Sequence, residues 1–258
     1  MSLNNQNYYT FIDHKTPPIV FIHGVGLDRN MWKPQIDFFK NNSTLTYDLL
    51  GHGKSSFTGE KINIEDYVKQ LDTLTKNLKI DKFHLVGFSI GSLIALNFAS
   101  EFEKKINSLT LISTTYKRNK KQRQEVIDRV NLAKLNKPIS NLALKRWFSD
   151  DYLLKNPNIR KDFMKILNKS SNDQKNFIKA YELFAYYEDK IEKIKKINTR
   201  TLIMTGSNDP GSTPEMSKNL SKDIKNSTYK EINNGKHLCS IECADDVNII
   251  IKKFIENV

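Results

Sequence analysis

The sequence lacks most of what would take it out of ordinary globular chemistry. Only two cysteines occur in 258 residues, Cys239 and Cys243, close together near the C-terminus. No further closely spaced ligands accompany them, which argues against a disulfide or a metal site and for reduced thiols. No apolar run approaches the roughly 20 residues needed to cross a bilayer. The opening stretch MSLNNQNYYTFIDHK has neither a basic n-region nor an apolar h-region, so a cytoplasmic location is expected. Internal repeats and long low-complexity tracts are absent. So is any RNA- or DNA-binding motif. Neither a membrane nor a nucleic acid is therefore an expected partner.

Charge is the one unusual bulk property. The formal net charge is +12. Its distribution argues against a general polyanion binder: residues 116–196 hold 21 Lys+Arg against 10 Asp+Glu, and the remainder is almost balanced. Two readings stay open. The excess is Lys-rich composition on solvated helix faces, or it steers a small anionic substrate.

Secondary-structure patterning alternates. Residues 7–12 read as a first short strand, and PPIVFIHG at 17–24 as a buried one. A short helix is expected over 30–40, a strand over 45–50 and an amphipathic helix over 64–78. A strand over 82–86, a helix over 90–100 and a strand over 107–113 follow. Such alternation predicts an α/β fold with a doubly wound, mostly parallel sheet. It breaks at Tyr116. From there to Lys196 the pattern is helical and charged, punctuated by Pro138 and Pro157. Strand signals return at 199–206 and 227–232, with helices at 214–222 and 244–256. Residues 1–115 and 197–258 are thus expected to form the core. Residues 116–196 are expected as a helical cap, placed over the sheet edge where ligands bind.

The chemistry-bearing stretch is Gly87-Phe88-Ser89-Ile90-Gly91. The pattern G-x-S-x-G is weak alone. Here a strand precedes it and a helix follows, which puts Ser89 on a sharp turn that glycines must accommodate. A serine hydroxyl needs a base. His14, His23, His52 and His84 precede Ser89, which leaves His237 as the only histidine after it. The base needs an acid to fix its tautomer. Asp209, at the end of the strand TLIMTG, is the candidate, since Ser113-Thr114-Thr115 supplies no carboxylate after the preceding strand. A developing oxyanion needs preorganised N–H donors. Ile90 and Val25 are the expected pair, with His23 shaping the Val25 loop. Met31, Trp32, Phe88, Trp147 and Phe184 are expected to wall the pocket.

These residues resemble the α/β-hydrolase fold family. The likeness rests on HGVG at 23–26, DLLGHGKS at 48–55, GFSIGS at 87–92, GSNDPGSTP at 206–214 and KHLCSIE at 236–242, and on the chain order Ser89, Asp209, His237. Within the family the chain is similar to the 3-oxoadipate enol-lactonase and carboxylesterase branch, through LDRNMWKPQIDFF, RWFSDDYL and HLCSIECADDVNIIIKKFI. That branch carries a serine and a proline where this chain has Cys239 and Ala244. The resemblance implies a hydrolase of a small ester or lactone with no metal or cofactor, its substrate anionic if an enol-lactone. Other readings of the same residues are a broad short-chain carboxylesterase, C–C bond hydrolysis, acyl transfer or perhydrolysis. A small-ligand sensor that retains the triad is the non-enzymatic one.

Overall fold

The computed structural model describes residues 7–135, 139–167 and 171–257. Residues 1–6 and Pro138 lie outside them. The chain runs β1 (Tyr9–Ile12), β2 (Ile19–Ile22), α1 (Lys33–Phe38), β3 (Thr44–Tyr47), α2 (Ile64–Asn77), β4 (Phe83–Phe88), α3 (Ile90–Phe102) and β5 (Ile106–Ile112). Six helices follow: α4 (Lys120–Lys134), α5 (Ser140–Trp147), α6 (Asp150–Lys155), α7 (Pro157–Leu167), α8 (Ser171–Tyr186) and α9 (Ile191–Ile194). The sheet then resumes with β6 (Thr201–Gly206), α10 (Pro214–Asp223) and β7 (Ser227–Ile232), and the chain closes with α11 (Cys239–Glu242) and α12 (Ala244–Ile255).

The strands form one seven-stranded sheet in the order β1-β3-β2-β4-β5-β6-β7. Only the β1–β3 pair is antiparallel; all the others are parallel. Helices cover both faces, so the central strands are apolar on both sides. The pleat sorts their residues. Ile19 and Phe21 of β2 enter one core layer, with Trp32, Val86, Ile251 and Phe254. Val20 and Ile22 enter the opposite layer, with Leu71, Leu85, Leu93 and Phe98.

Two local expectations shift. The helix expected over 30–40 is split into a 3₁₀ turn, Arg29–Trp32, and α1. Pro34 suits the first turn of a new helix, where a missing N–H costs nothing. The strand expected over 45–50 stops at Tyr47. Beyond it the Leu50 amide turns to the buried Gln70 side chain, donating to Oε1 at 3.1 Å. Among the described residues, no helix is long and apolar enough to cross a membrane.

Registry fixes where the site can form. Ile22 pairs with Gly87, Phe88 with Ile112, Ile112 with Met204, and Gly206 with Ile232. The carboxyl ends of five strands therefore finish side by side. After β2 the chain steps outward to β3, then returns across β2 to β4. The crevice of an open parallel sheet opens at such a reversal.

Candidate active site

Ser89 is the single residue between β4 and α3. Its backbone sits at φ 55°, ψ −118°, on the left-handed side that disfavours a residue with a Cβ. Holding it there costs about 1–3 kcal/mol, which surrounding bonds must outweigh. The Ser89 amide donates to Ile112 O at 2.9 Å. Ser92 Oγ lies 2.6 Å from Gly87 O and 3.0 Å from Ile112 O. Gly91 lets α3 press against the end of β2: a Cβ there would lie 2.7 Å from His23 O.

Asp209 and His237 come from the ends of β6 and β7. Gly206 and Gly235 bring those loops together, and the Asn208 amide donates to Gly235 O at 2.9 Å. Asp209 Oδ1 accepts from the Gly211 and Ser212 amides, each at 2.9 Å. Its Oδ2 lies 2.7 Å from His237 Nδ1. His237 Nε2 lies 3.2 Å from Ser89 Oγ. Because the carboxylate can only accept, Nδ1 carries the proton and Nε2 is free to take one from the serine hydroxyl. Ser113 Oγ donates to His237 O at 2.8 Å, and the Phe88 ring lies 5.0 Å from the imidazole. All three side chains are buried.

Ile90 is the first residue of α3, in a turn whose amides have no intrahelical acceptor. Val25 follows β2 and lines the cavity above Ser89. His23 holds that loop: its Nε2 accepts from the Leu49 amide at 2.9 Å, and Nδ1 lies 2.8 Å from Gly24 O. Asp48 ties the neighbouring loop, accepting from the Arg29 and Lys54 amides at 2.9 Å each. His84 is buried and bonded to Ser108 Oγ at 2.8 Å, and His14 is exposed.

The cavity over Ser89 and His237 measures about 30 Å³. That is room for little beyond water, so a substrate must displace wall side chains. Phe88, Trp147 and Phe184 line it as expected. Met31 and Trp32 do not. They lie on the 3₁₀ turn that packs against β2 and β3, and Trp32 is fully buried 5.0 Å from the Phe21 ring. An apolar side chain near a site loop had two places to go, and here the core layer around Ile19 and Phe21 took it.

Ile139, Ala143, Arg146, Phe177 and Tyr181, overlooked in the sequence, complete the wall beside Trp147 and Phe184. Ile139, Ala143, Arg146 and Trp147 recur at helical spacing at and along α5. Phe177, Tyr181 and Phe184 do the same on α8. The signal that could have found them is that periodicity, with Arg146 the anomaly on an otherwise apolar stripe.

Comparison with known proteins bears on the same architecture. The family described as alpha/beta hydrolase fold matches residues 17–243. An (E)-2-((N-methylformamido)methylene)succinate hydrolase of Acinetobacter baylyi is 28% identical over 98% of this chain and 95% of its own. A 3-oxoadipate enol-lactonase of the same organism is 28% identical over 94% of this chain and 90% of its own. The crystal structure of the enol-lactonase from Burkholderia xenovorans superposes with a TM-score of 0.88 at 23% identity, covering 98% of both chains.

Proposed function

The chain belongs to the alpha/beta hydrolase fold family, and on that premise we propose that it is a serine hydrolase cleaving a small carboxylic ester or lactone through an acyl-enzyme. The observation that carries the reading is the buried line from Ser89 through His237 to Asp209, with separations of 3.2 and 2.7 Å. The names of the two Acinetobacter relatives, a methylenesuccinate hydrolase and an enol-lactonase, support a small-molecule substrate.

Ser89 Oγ attacks the carbonyl carbon while His237 Nε2 removes its proton. Asp209 keeps the imidazole in the tautomer that can accept, and stabilises the imidazolium. The tetrahedral oxyanion takes hydrogen bonds from the Ile90 and Val25 amides, aided by the positive end of α3. Collapse breaks the C–O bond, and the imidazolium protonates the departing oxygen. In a lactone that oxygen stays tethered to the acyl chain. Water then enters, gives a proton to His237 and attacks the acyl carbon; as the C–O bond to Ser89 breaks, the imidazolium returns that proton to Ser89 Oγ, releasing the acid and the free serine. The inserted helices α4–α9 act as a cap that excludes bulk water and must yield for entry, given the size of the cavity.

The test pairs a fluorophosphonate probe with ester turnover. Ser89 is expected to be labelled, and turnover of a p-nitrophenyl ester or an enol-lactone to vanish in Ser89→Ala. Turnover that survives Ser89→Ala would assign the chemistry elsewhere.

A further inference from the structure

On the serine-hydrolase reading, His237 must be held where it can serve Ser89. Asp209 fixes its imidazole and Ser113 its carbonyl. The residues on either side of it are fastened elsewhere, to the inserted helices. The Leu238 amide donates to Trp147 O at 3.0 Å, at the end of α5. The Lys236 amide donates to Glu242 Oε2 at 3.0 Å. Glu242 Oε1 in turn accepts from the Ser149 amide at 2.9 Å, where α5 gives way to α6. Lys236 Nζ adds a bond to Lys145 O at 2.8 Å. One carboxylate thus bridges the loop of His237 and the insertion, through two charge-assisted bonds to main-chain amides.

Packing follows the same division. Within the insertion, α5 and α6 pack on α7, whereas α4 packs on α8. Leu144, Trp147 and Phe163 of the first group share a core layer with Leu238 and Ile241, from the loop and turn after His237. Val126 and Val130 of α4 and Phe177 of α8 belong to the opposite layer. The α5–α7 group is therefore continuous with the loop of His237, and α5 cannot lift without pulling on Lys236 and Leu238. The margin is small. His237 Nε2 lies 3.2 Å from Ser89 Oγ, at the long end of the hydrogen-bond range. A shift of about 0.5 Å is enough to take a catalytic group out of productive geometry.

Resting on that reading, we propose that Glu242 is a positioning residue for the reaction. Through the Lys236 and Ser149 amides it holds His237 within reach of Ser89, and it makes α5–α7 part of the mount of the base. It acts at one remove, since the side chain that meets the cavity is that of His237.

The test is the rate at which the fluorophosphonate probe labels Ser89, measured over a range of probe concentrations. It needs no knowledge of the substrate. Glu242→Ala removes both acceptors, and Glu242→Gln keeps one. The maximal labelling rate should fall by about 10- to 100-fold in Glu242→Ala, the scale of a misplacement of up to about 1 Å, and by less in Glu242→Gln. The half-saturating probe concentration should stay near that of wild type, and labelling should still run to completion. Ser149→Pro breaks the same bridge from the other end. Ser149 sits at φ −69°, an angle proline adopts, and Phe148 before it is extended. The ring removes the N–H and displaces the carboxylate. Ser149→Ala keeps the N–H and supplies the baseline for the lost bond from the Tyr152 amide. Labelling should be slower in Ser149→Pro than in Ser149→Ala, and the two should be alike when combined with Glu242→Ala. A role in stability alone would lower the fraction labelled at completion and leave the rate per site unmoved, which would overturn the proposal. So would a difference between the Pro and Ala variants that persists in the Glu242→Ala background. Glu242→Gln, nearly isosteric, carries the comparison if Glu242→Ala does not fold. If Ser89 of the wild type is not labelled at all, the serine-hydrolase reading fails and takes the proposal with it; if it is labelled and the Glu242 variants match it, the proposal alone fails.

Discussion

Replacing Asp209 by Asn isolates the role of its charge from its role in folding. Oδ1 accepts two backbone amides, and an asparagine carbonyl can take over both bonds. The amide nitrogen must then occupy the position of Oδ2, 2.7 Å from His237 Nδ1. Two donors would face each other. The imidazole relieves this by moving its proton to Nε2, where it meets Ser89 Oγ and can no longer accept from it. By analogy with other serine triads the expected loss in kcat is about 10⁴-fold, or about 5 kcal/mol of transition-state stabilisation. Stability should change far less, because the fold loses only one charge-assisted hydrogen bond, worth about 1.5–3 kcal/mol. The assay is steady-state hydrolysis of an activated ester alongside a denaturant melt of both proteins. A folded Asp209→Asn protein with kcat within tenfold of wild type would refute the reasoning and remove Asp209 as the orienting acid.

Two further outcomes follow from packing and burial. Gly91→Ala places a methyl 2.7 Å from His23 O, so α3 must move off β2. The expected cost is about 1–3 kcal/mol in a denaturant melt, with ester turnover falling as Ser89 moves; a midpoint equal to wild type would contradict the close approach. His84 is a buried group whose pKa desolvation lowers. Below the ordinary histidine pKa the unfolded chain binds a proton that the folded one resists. Stability should therefore fall as pH drops through that value and level off below the folded-state pKa. His84→Gln should flatten this slope in melts between pH 7 and pH 5, and an unchanged slope would show that another group is responsible.

Sequence by itself determined what depends on neighbours along the chain. The alternation of strand and helix marked the parallel sheet, because an element buried on both faces reads as a continuous apolar run and an amphipathic one repeats at its own period. The G-x-S-x-G turn marked Ser89, because only small residues let a helix double back so tightly onto its strand. Asp209 and His237 were legible as the acid and histidine that follow strands later in the chain. That these strands end level with Ser89 is a matter of registry, with Gly206 opposite Ile232 and Ile112 opposite both Phe88 and Met204.

Tertiary structure alone decided what each side chain was covered by. Periodicity says that Met31 and Trp32 belong on an apolar face, but two apolar environments lay within reach. The 3₁₀ turn sent both into the core layer around Ile19 and Phe21 instead of to the cavity wall. Arg146 shows the converse. One arginine in a lysine-rich insertion looks like surface composition until α5 folds across the strand ends and puts it on the wall of the cavity over Ser89. Periodicity marks the stripe it sits on, but which cavity that stripe faces is set by what packs around it in space.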